Sequence, residues 1–293
     1  MANTQAIKRR IGSVKNTKQI TKAMELVAAS KMRKAQDATL RTRVYRNTAR
    51  EILARLNQLN KAKDFAYFQE RRVKSRLYIL VTSDRGLAGA YNSNLLKLFA
   101  RQLQTDRDDS VKSRVLVVGK KGAKFVSRIE DIDIVGVYED WPTYPDARDV
   151  RPLFDTAVNQ FKDNSVDEVQ VIFTDFISSI VQEAKSVKLL PASMDEFEIE
   201  AIHTSRDIND SIFEPSPEEV LAKVVPKLVE AQLYQAVLEA VASEQSMRMV
   251  AMKSASDNAS DIIDDLTLEF NSARQAAVTQ ELAEITGGAE AIT

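Results

Sequence analysis

The hydrophobic pattern of this chain predicts two very long helices on either side of a middle region built from shorter elements. Neither Gly nor Pro occurs in residues 13–85, and Pro226 is the one such residue in 220–286. Helices over residues 3–56 and 217–286 would be roughly 80 Å and 105 Å long, whereas helices in globular proteins average about 11–12 residues. Helices of that length must pair with another long helix, lie along a partner or act as a rod.

Within both long segments, apolar and small residues recur in a pattern that predicts helix pairing. In the C-terminal segment they alternate at intervals of three and four residues, which is the heptad spacing of a coiled coil. These residues are Met249, Met252, Ser256, Ala259, Ile263, Leu266, Phe270, Ala273 and Ala277. The N-terminal segment carries a similar stripe at Ile7, Ile11, Val14, Met24, Val27, Ala28 and Ala35. Because small side chains let two helix backbones approach closely, we predict that the two helices pair antiparallel.

Opposite charges at the two ends favour the same pairing. Residues 1–50 hold thirteen Lys and Arg against two acidic residues, whereas residues 257–293 hold eight acidic residues against Arg274. Helices of opposite charge attract each other, although each exposed ion pair contributes little. Arg274 has no acidic residue one turn away on its own helix, so we predict that it contacts another helix or another chain.

The sequence also predicts where the C-terminal helix starts, bends and ends. The motif SPEE from Ser216 is typical of a helix start, because Ser caps it, Pro suits the first position and Glu completes a capping box. Pro226 removes one backbone hydrogen bond and clashes with the preceding turn, so we expect a kink or a short break near residues 222–225. The pair Gly287 and Gly288 is expected to end the helix.

The middle region alternates strand-like and helix-like segments. Apolar β-branched runs of buried-strand length occupy residues 77–83, 114–119, 132–137 and 168–174, and helical patterns lie at 94–104, 121–129 and 150–162. Such alternation predicts a small, parallel, Rossmann-like α/β sheet, with edge strands expected at 181–190 and 197–202. The predicted regions are an N-terminal coiled-coil helix (1–60), an inserted α/β domain (75–210) and a C-terminal coiled-coil helix (216–293).

Composition excludes several kinds of site and compartment. The chain has no Cys, which excludes disulfides and zinc–thiolate sites, and its single histidine, His203, excludes multi-His metal sites. No apolar run approaches the roughly 18 residues of a membrane span, and no secretory signal is recognised, so we expect a cytoplasmic protein. The basic start is similar to a mitochondrial targeting peptide, but the same pattern continues past Arg50.

Two glycine-containing loops resemble phosphate-binding loops without matching their motifs. The segment TSDRGLAGAYN, from Thr82, follows the first strand and precedes a helix, where glycines allow a phosphate to approach the helix N-terminus. It matches neither GxGxxG nor GxxxxGK[ST], and GKKG from Gly119 lacks the Ser or Thr. Tight turns are therefore the favoured interpretation. Asp84 beside Arg85 is better explained as a turn-capping residue than as a catalytic pair, because no histidine accompanies it.

The basic N-terminal helix has one competing function. A nucleic-acid binder would place such a stripe against phosphates. However, its first aromatic residue is Tyr45, and the acidic C-terminal segment would compete for the same surface. The adjacent acidic residues Asp264 and Asp265 do not face one site on a helix. We therefore expect a protein partner, with no nucleic acid, metal or other cofactor.

Two terminal segments carry a recognisable family resemblance. IKRRIGSVKNTKQITKAMELVAASKMRKAQ (7–36) and SEQSMRMVAMKSASDNASDIIDDLTLEFNSARQAAVTQELAEITGGA (243–289) are similar to the γ subunit of bacterial-type F-type ATP synthase. TSDRGLAGAYN resembles the first strand–loop of that family, and the resemblance covers the whole chain. It implies a rotor shaft, in which a coiled coil sits inside a ring of α and β subunits. The α/β domain would lie beside the ε subunit and the membrane-embedded c-ring.

The resemblance implies that ion flow turns the c-ring and the shaft, and that the asymmetric shaft changes the nucleotide affinities of the catalytic β subunits. The chain would then have no active site of its own and would bind the cytoplasmic face of the inner (plasma) membrane only peripherally. Residues that match family positions at the contact with the catalytic ring are Lys8, Arg9, Arg10, Met24, Arg274, Gln275, Thr279 and Glu281.

Some features depart from the family pattern, and two alternatives stay open. Ala88 stands where the family often has Cys, and the cysteine-bearing insertion of plastid relatives is missing, so thiol regulation is not expected. Pro226 falls where the family would have an uninterrupted helix. The alternatives are a coiled-coil scaffold with a vestigial α/β domain and a nucleotide-binding enzyme that depends on Asp84 or Lys120. A stable complex with α and β subunits would favour the rotor, whereas nucleotide turnover by the isolated chain would favour the enzyme.

Overall fold

The computed structural model describes residues 2–58, 65–192 and 216–290, and the chain divides into two compact units. One unit comprises Met1–Ala29 with Arg248–Thr293, and the other comprises Ser30–Met247. Both boundaries fall inside long helices, which are α1 (Ala2–Gln58) and α5 (Pro217–Glu290).

Within the unit Ser30–Met247, strands and helices alternate as the sequence predicts. A short 3-10 helix (Ala66–Phe68) precedes them. The elements are β1 (Ser75–Val81), α2 (Tyr91–Asp108), β2 (Lys112–Val118), α3 (Lys120–Val126), β3 (Asp133–Tyr138), α4 (Ala147–Lys162), β4 (Glu168–Phe176) and β5 (Gln182–Leu190). The strands expected at 77–83, 114–119, 132–137, 168–174 and 181–190 are confirmed. The strand expected at 197–202 lies outside the described residues.

The five strands form one sheet in the order β3-β2-β1-β4-β5. The first four are parallel, and β5 adds an antiparallel edge. Ile79 at the centre of β1 is paired with Leu116 of β2 and Val171 of β4. The strand order reverses beside β1, as in doubly wound folds. Helices cover both faces of such a sheet, which is why its central strands are continuously apolar.

Alternate residues of each strand enter two different cores. On one face, Leu77 and Ile79 pack with α4 and with the first part of α5, where Leu233 and Val237 are fully or almost fully buried. On the other face, Tyr78 packs with residues of α2 and α3. The first part of α5 therefore supplies one of the helical layers of this domain.

The ends of α5 agree only in part with the sequence prediction. The predicted N-cap is confirmed, because the Ser216 hydroxyl accepts a hydrogen bond from the backbone N–H of Glu219 at 3.2 Å. Of the kink or short break expected near residues 222–225, the break is wrong, because the helix continues through Pro226. Burial of its neighbours offsets the lost hydrogen bond, and a kink at this position stays a prediction. The expected end at Gly287 is also wrong, since glycine costs only about 1 kcal/mol inside a helix and α5 continues to Glu290.

Candidate interaction surface

The unit Met1–Ala29 with Arg248–Thr293 is built on a narrow buried seam. Along α5 the predicted heptad stripe is confirmed, because Met252, Ser256, Ala259 and Leu266 are buried. The other members of that stripe are half-buried. Three of the four buried side chains are small or unbranched, so the helix backbones can pack closely.

The stripe on α1 is confirmed with one correction. Ile7 and Ala28 are buried, and Ile11, Val14 and Met24 are half-buried. Val27, however, is 55% exposed, because a neighbour of Ala28 points about 100° away around a helix. Thr21, which the apolar pattern missed, is buried instead. It continues the spacing of three and four from Val14 to Ala28, so spacing rather than polarity would have identified it.

The burial pattern fits an antiparallel pair. The residues that follow Ala29 on α1 and those that precede Arg248 on α5 belong together to the other unit. In a parallel pair, by contrast, the residues that follow Ala29 would lie beside residues that follow Arg248. In addition, residues 278–283 of α5 are all exposed. This is expected where α1, which begins at Ala2, no longer accompanies α5.

Seven of the eight residues expected to contact partners lie on the outside of this helical pair. Exposed residues are Lys8, Arg9, Arg10, Arg274, Gln275, Thr279 and Glu281, whereas Met24 is half-buried. Within the described part of the chain, the structure records no ion pair for Arg274. Its guanidinium is therefore available to a partner, and contact with another chain stays a prediction.

The outer faces of the pair also carry large apolar side chains that the sequence pattern did not single out. Ile20 and Leu26 on α1 are about as exposed as Leu282 on α5, and Leu268 is 68% exposed. Scattered exposed apolar residues are normal on a soluble protein. Here they accompany the basic and acidic residues above, so the outer face offers both apolar and charged groups to a partner.

The loop after β1 is held by its own residues and by the following loops. The Asp84 carboxylate accepts hydrogen bonds from the backbone N–H groups of Lys120 (3.1 Å), Asp140 (3.3 Å) and Trp141 (2.9 Å). The ammonium of Lys120 pairs with Asp140 at 2.6 Å. Asp84 thus joins three loops at the carboxyl edge of the sheet. It has a structural role, as expected, but it caps backbone groups of the loops after β2 and β3 rather than its own turn.

The GKKG segment is likewise a packing turn. Gly119 has φ of +93°, and a Cβ at this position would lie 2.3 Å from the carbonyl oxygen of Thr82. The Thr82 hydroxyl donates to the carbonyl of Val118 and accepts from the N–H of Gly122, both at 2.8 Å. The two glycines allow the loops after β1 and β2 to pack in direct contact.

A buried polar network lies at the other end of the sheet. Asp106, which is fully buried, accepts hydrogen bonds from the hydroxyls of Tyr78 and Ser113 at 2.8 Å and forms an ion pair with Arg76. Arg76 also pairs with Glu168 at 2.7 Å. Burial, together with the hydrogen bond to Asp106, raises the pKa of Tyr78. The network satisfies its own charges and joins α2, β1, β2 and β4.

Two further expectations concern metals and histidine. Among the residues that the structure describes, no cluster of three His, Cys, Asp or Glu side chains is placed to hold a metal ion. His203 lies outside the described residues. The described residues present an outward-facing helical surface and a domain in which Asp84, Thr82 and Asp106 are held by internal hydrogen bonds.

Comparison with known proteins identifies the family. A family model described as ATP synthase matches residues 3–292. The chain is 40% identical to an ATP synthase gamma chain from Desulfitobacterium hafniense, with all of both chains covered, and 41% identical to one from Opitutus terrae, with 97% of each covered.

The fold is also found in a solved structure. The central stalk and c-ring structure of the Tetrahymena thermophila mitochondrial ATP synthase contains a chain that matches with a TM-score of 0.62 and 25% identity, covering 81% of this chain and 99% of that one. Together with the full-length match to bacterial gamma chains, this similarity shows that the chain belongs to the ATP synthase gamma chain family.

Proposed function

We propose that this chain is the central rotor shaft of an F-type ATP synthase, coupling rotation of a c-ring to nucleotide chemistry on the catalytic β subunits. The observation that carries the proposal is the full-length similarity to gamma chains, combined with a helical pair whose seam is buried and whose outer faces are exposed. A stiff pair of helices transmits torque without needing an active site. The gamma chain is a non-catalytic subunit of the complex, as the sequence led us to expect.

The proposed partners are the α and β subunits around the helical pair, and the ε subunit and c-ring beside the α/β domain. The similar Tetrahymena structure combines a central stalk with a c-ring. Lys8, Arg9 and Arg10 supply positive charge on α1, and Arg274 and Glu281 supply opposite charges on α5. Such exposed charges set orientation and association rate more than affinity.

We place the chain at the cytoplasmic face of the membrane as a peripheral component. Among the residues that the structure describes, no helix combines the length and apolar character needed to cross a bilayer. Contact with the membrane would therefore be made through the membrane-embedded part of the complex.

Assembly tests this function directly. Co-expression with the matching α and β subunits should give a complex from which all three co-purify, and which hydrolyses ATP. The chain purified alone should not hydrolyse ATP above background. Hydrolysis by the isolated chain that disappears in Lys120→Ala would instead support the nucleotide-binding enzyme.

Substitution of Arg274 tests the surface. Because Arg274 is exposed, Arg274→Ala should leave the helicity of the isolated chain unchanged while lowering coupled ATP synthesis or the stability of the complex. Lys253→Ala, an exposed cation earlier on the same helix, is the matched control. Normal synthesis and assembly in the Arg274 variant would remove this residue from the interface.

A further inference from the structure

One loop of the α/β domain contacts both long helices. This β3–α4 loop comprises residues 139–146, between the end of β3 and the start of α4. The Lys34 ammonium on α1 lies 4.9 Å from the centre of the Tyr144 ring. The Tyr234 hydroxyl on α5 donates a hydrogen bond to the carbonyl oxygen of Pro145 at 3.2 Å. Two neighbouring residues of the loop therefore contact two different helices.

The sequence of the β3–α4 loop restricts its backbone. Pro142 and Pro145 fix φ at two positions, and Tyr144, which precedes a proline, is confined to extended conformations. Near the start of the loop, the backbone N–H of Trp141 donates to the Asp84 carboxylate at 2.9 Å. The last residue of the loop is the N-cap of α4. Because the loop is held at both ends, Tyr144 loses little conformational freedom when it makes a contact.

Burial in the domain does not explain the position of Tyr144. Trp141 and Tyr234 pack against the buried cluster on one face of the sheet, whereas the Tyr144 side chain is 48% exposed. On α1, Lys34 is exposed and lies two positions after the buried Met32. Its long apolar stem allows the ammonium to reach the aromatic ring, where the two groups form a cation–π contact.

The two long helices are attached to the α/β domain in different ways. The first part of α5 belongs to the buried core of the domain, through residues such as Leu233 and Val237. Among the residues that the structure describes, neither buried cluster of the domain includes a residue of α1. Surface contacts such as that between Lys34 and Tyr144 therefore matter more for α1 than for α5.

We propose that Lys34 and Tyr144 form a positioning contact that holds α1 on the α/β domain, so that α1 turns together with α5 when the domain turns. The inference rests on the proposed function, because it assigns these residues a part in passing rotation to the shaft. Both residues act through the helix and not on a nucleotide. Without their contact, part of the rotation would be lost as movement of α1 against the loop, while nucleotide hydrolysis by the complex continued.

Hydrogen exchange of the full chain tests the contact itself. A cation–π contact at an exposed site corresponds to a factor of about two to five in an equilibrium constant. Amides of residues 30–42 should therefore exchange about two- to fivefold faster in Tyr144→Leu than in the unchanged chain. Tyr144→Phe keeps the aromatic ring, so its exchange should match that of the unchanged chain. Lys34→Gln should resemble Tyr144→Leu, and the double variant should show no further increase.

Arg33→Gln is the matched control, because Arg33 is an exposed cation whose side chain points about 100° away around the same helix. It should leave the exchange of residues 30–42 unchanged. Equal exchange in Tyr144→Leu and in the unchanged chain would overturn the proposal. The same increase in Arg33→Gln as in Lys34→Gln would overturn it too, since the effect would then come from removing any cation.

The complete complex in lipid vesicles tests the part in rotation. The amount of ion uptake per ATP hydrolysed should fall in Tyr144→Leu and return in Tyr144→Phe, with the rate of hydrolysis retained. An unchanged ratio in Tyr144→Leu would overturn the role in coupling and leave a contact that only stabilises the chain. Failure of the unchanged chain to assemble with α and β subunits would instead contradict the proposed function, and the exchange experiment would still decide whether the contact holds α1.

Discussion

The two units of this chain are stabilised by different kinds of burial. The α/β domain buries large side chains completely, including Tyr78, Phe99 and Leu153. The paired ends bury small groups such as Ala28 and Ser256 and leave Leu268 largely exposed. The domain is therefore specified by its own core, whereas the helical pair has a thin seam and a surface suited to partners. This difference predicts that equal chemical changes will have unequal effects in the two units.

The largest expected effect is loss of the buried charge network in the domain. Asp106→Ala removes the acceptor of two hydroxyls and leaves the mostly buried Arg76 without one of its two carboxylate partners. Breaking such a pair costs about 3–5 kcal/mol. Denaturant unfolding followed by fluorescence of Trp141, the single tryptophan, should show this loss. Asp108→Ala, at an exposed position of the same helix, should change the midpoint little, and equal effects of the two changes would contradict the prediction.

The next largest effect is expected at the turn after β2. Gly119→Ala would place a Cβ 2.3 Å from the Thr82 carbonyl oxygen at a φ that side chains disfavour. Backbone strain and overpacking together should cost about 2–4 kcal/mol. The Trp141 unfolding midpoint should fall accordingly. An unchanged midpoint would show that the loops after β1 and β2 rearrange without cost.

The two units also differ in how far the sequence predicted them. The strands of the domain follow from continuous apolar runs, and the helical seam follows from its heptad spacing. Sequence reasoning failed where a polar residue takes a core position, as with Thr21, because a search for apolar residues does not mark a polar residue as buried. It also failed where it allowed a break of α5 near Pro226, since tertiary packing outweighs local helix preference.

A smaller effect is expected from overfilling the seam of the helical pair. Ala28 is almost fully buried, so Ala28→Leu should separate the helices at a cost of about 1–3 kcal/mol. The loss should be seen by far-ultraviolet circular dichroism as earlier melting of helix, with the Trp141 transition unchanged. Ala23→Leu, at an exposed position of the same helix, is the matched control. If both variants melt alike, Ala28 does not occupy a close-packed seam.

The smallest effect, and one of opposite sign, is expected at Gly12 in the helical pair. Gly12 lies within α1, is exposed, and would place a Cβ with no atom within 4 Å. Gly12→Ala should therefore stabilise the helix by about 0.5–1 kcal/mol, because alanine loses less backbone entropy on folding. Circular dichroism of the isolated chain should show later melting of helix. The same substitution at Gly119 is expected to destabilise, so the pair of variants separates a glycine required by packing from one tolerated on a surface. A destabilised Gly12→Ala chain would mean that α1 approaches another element more closely at this point than the structure indicates.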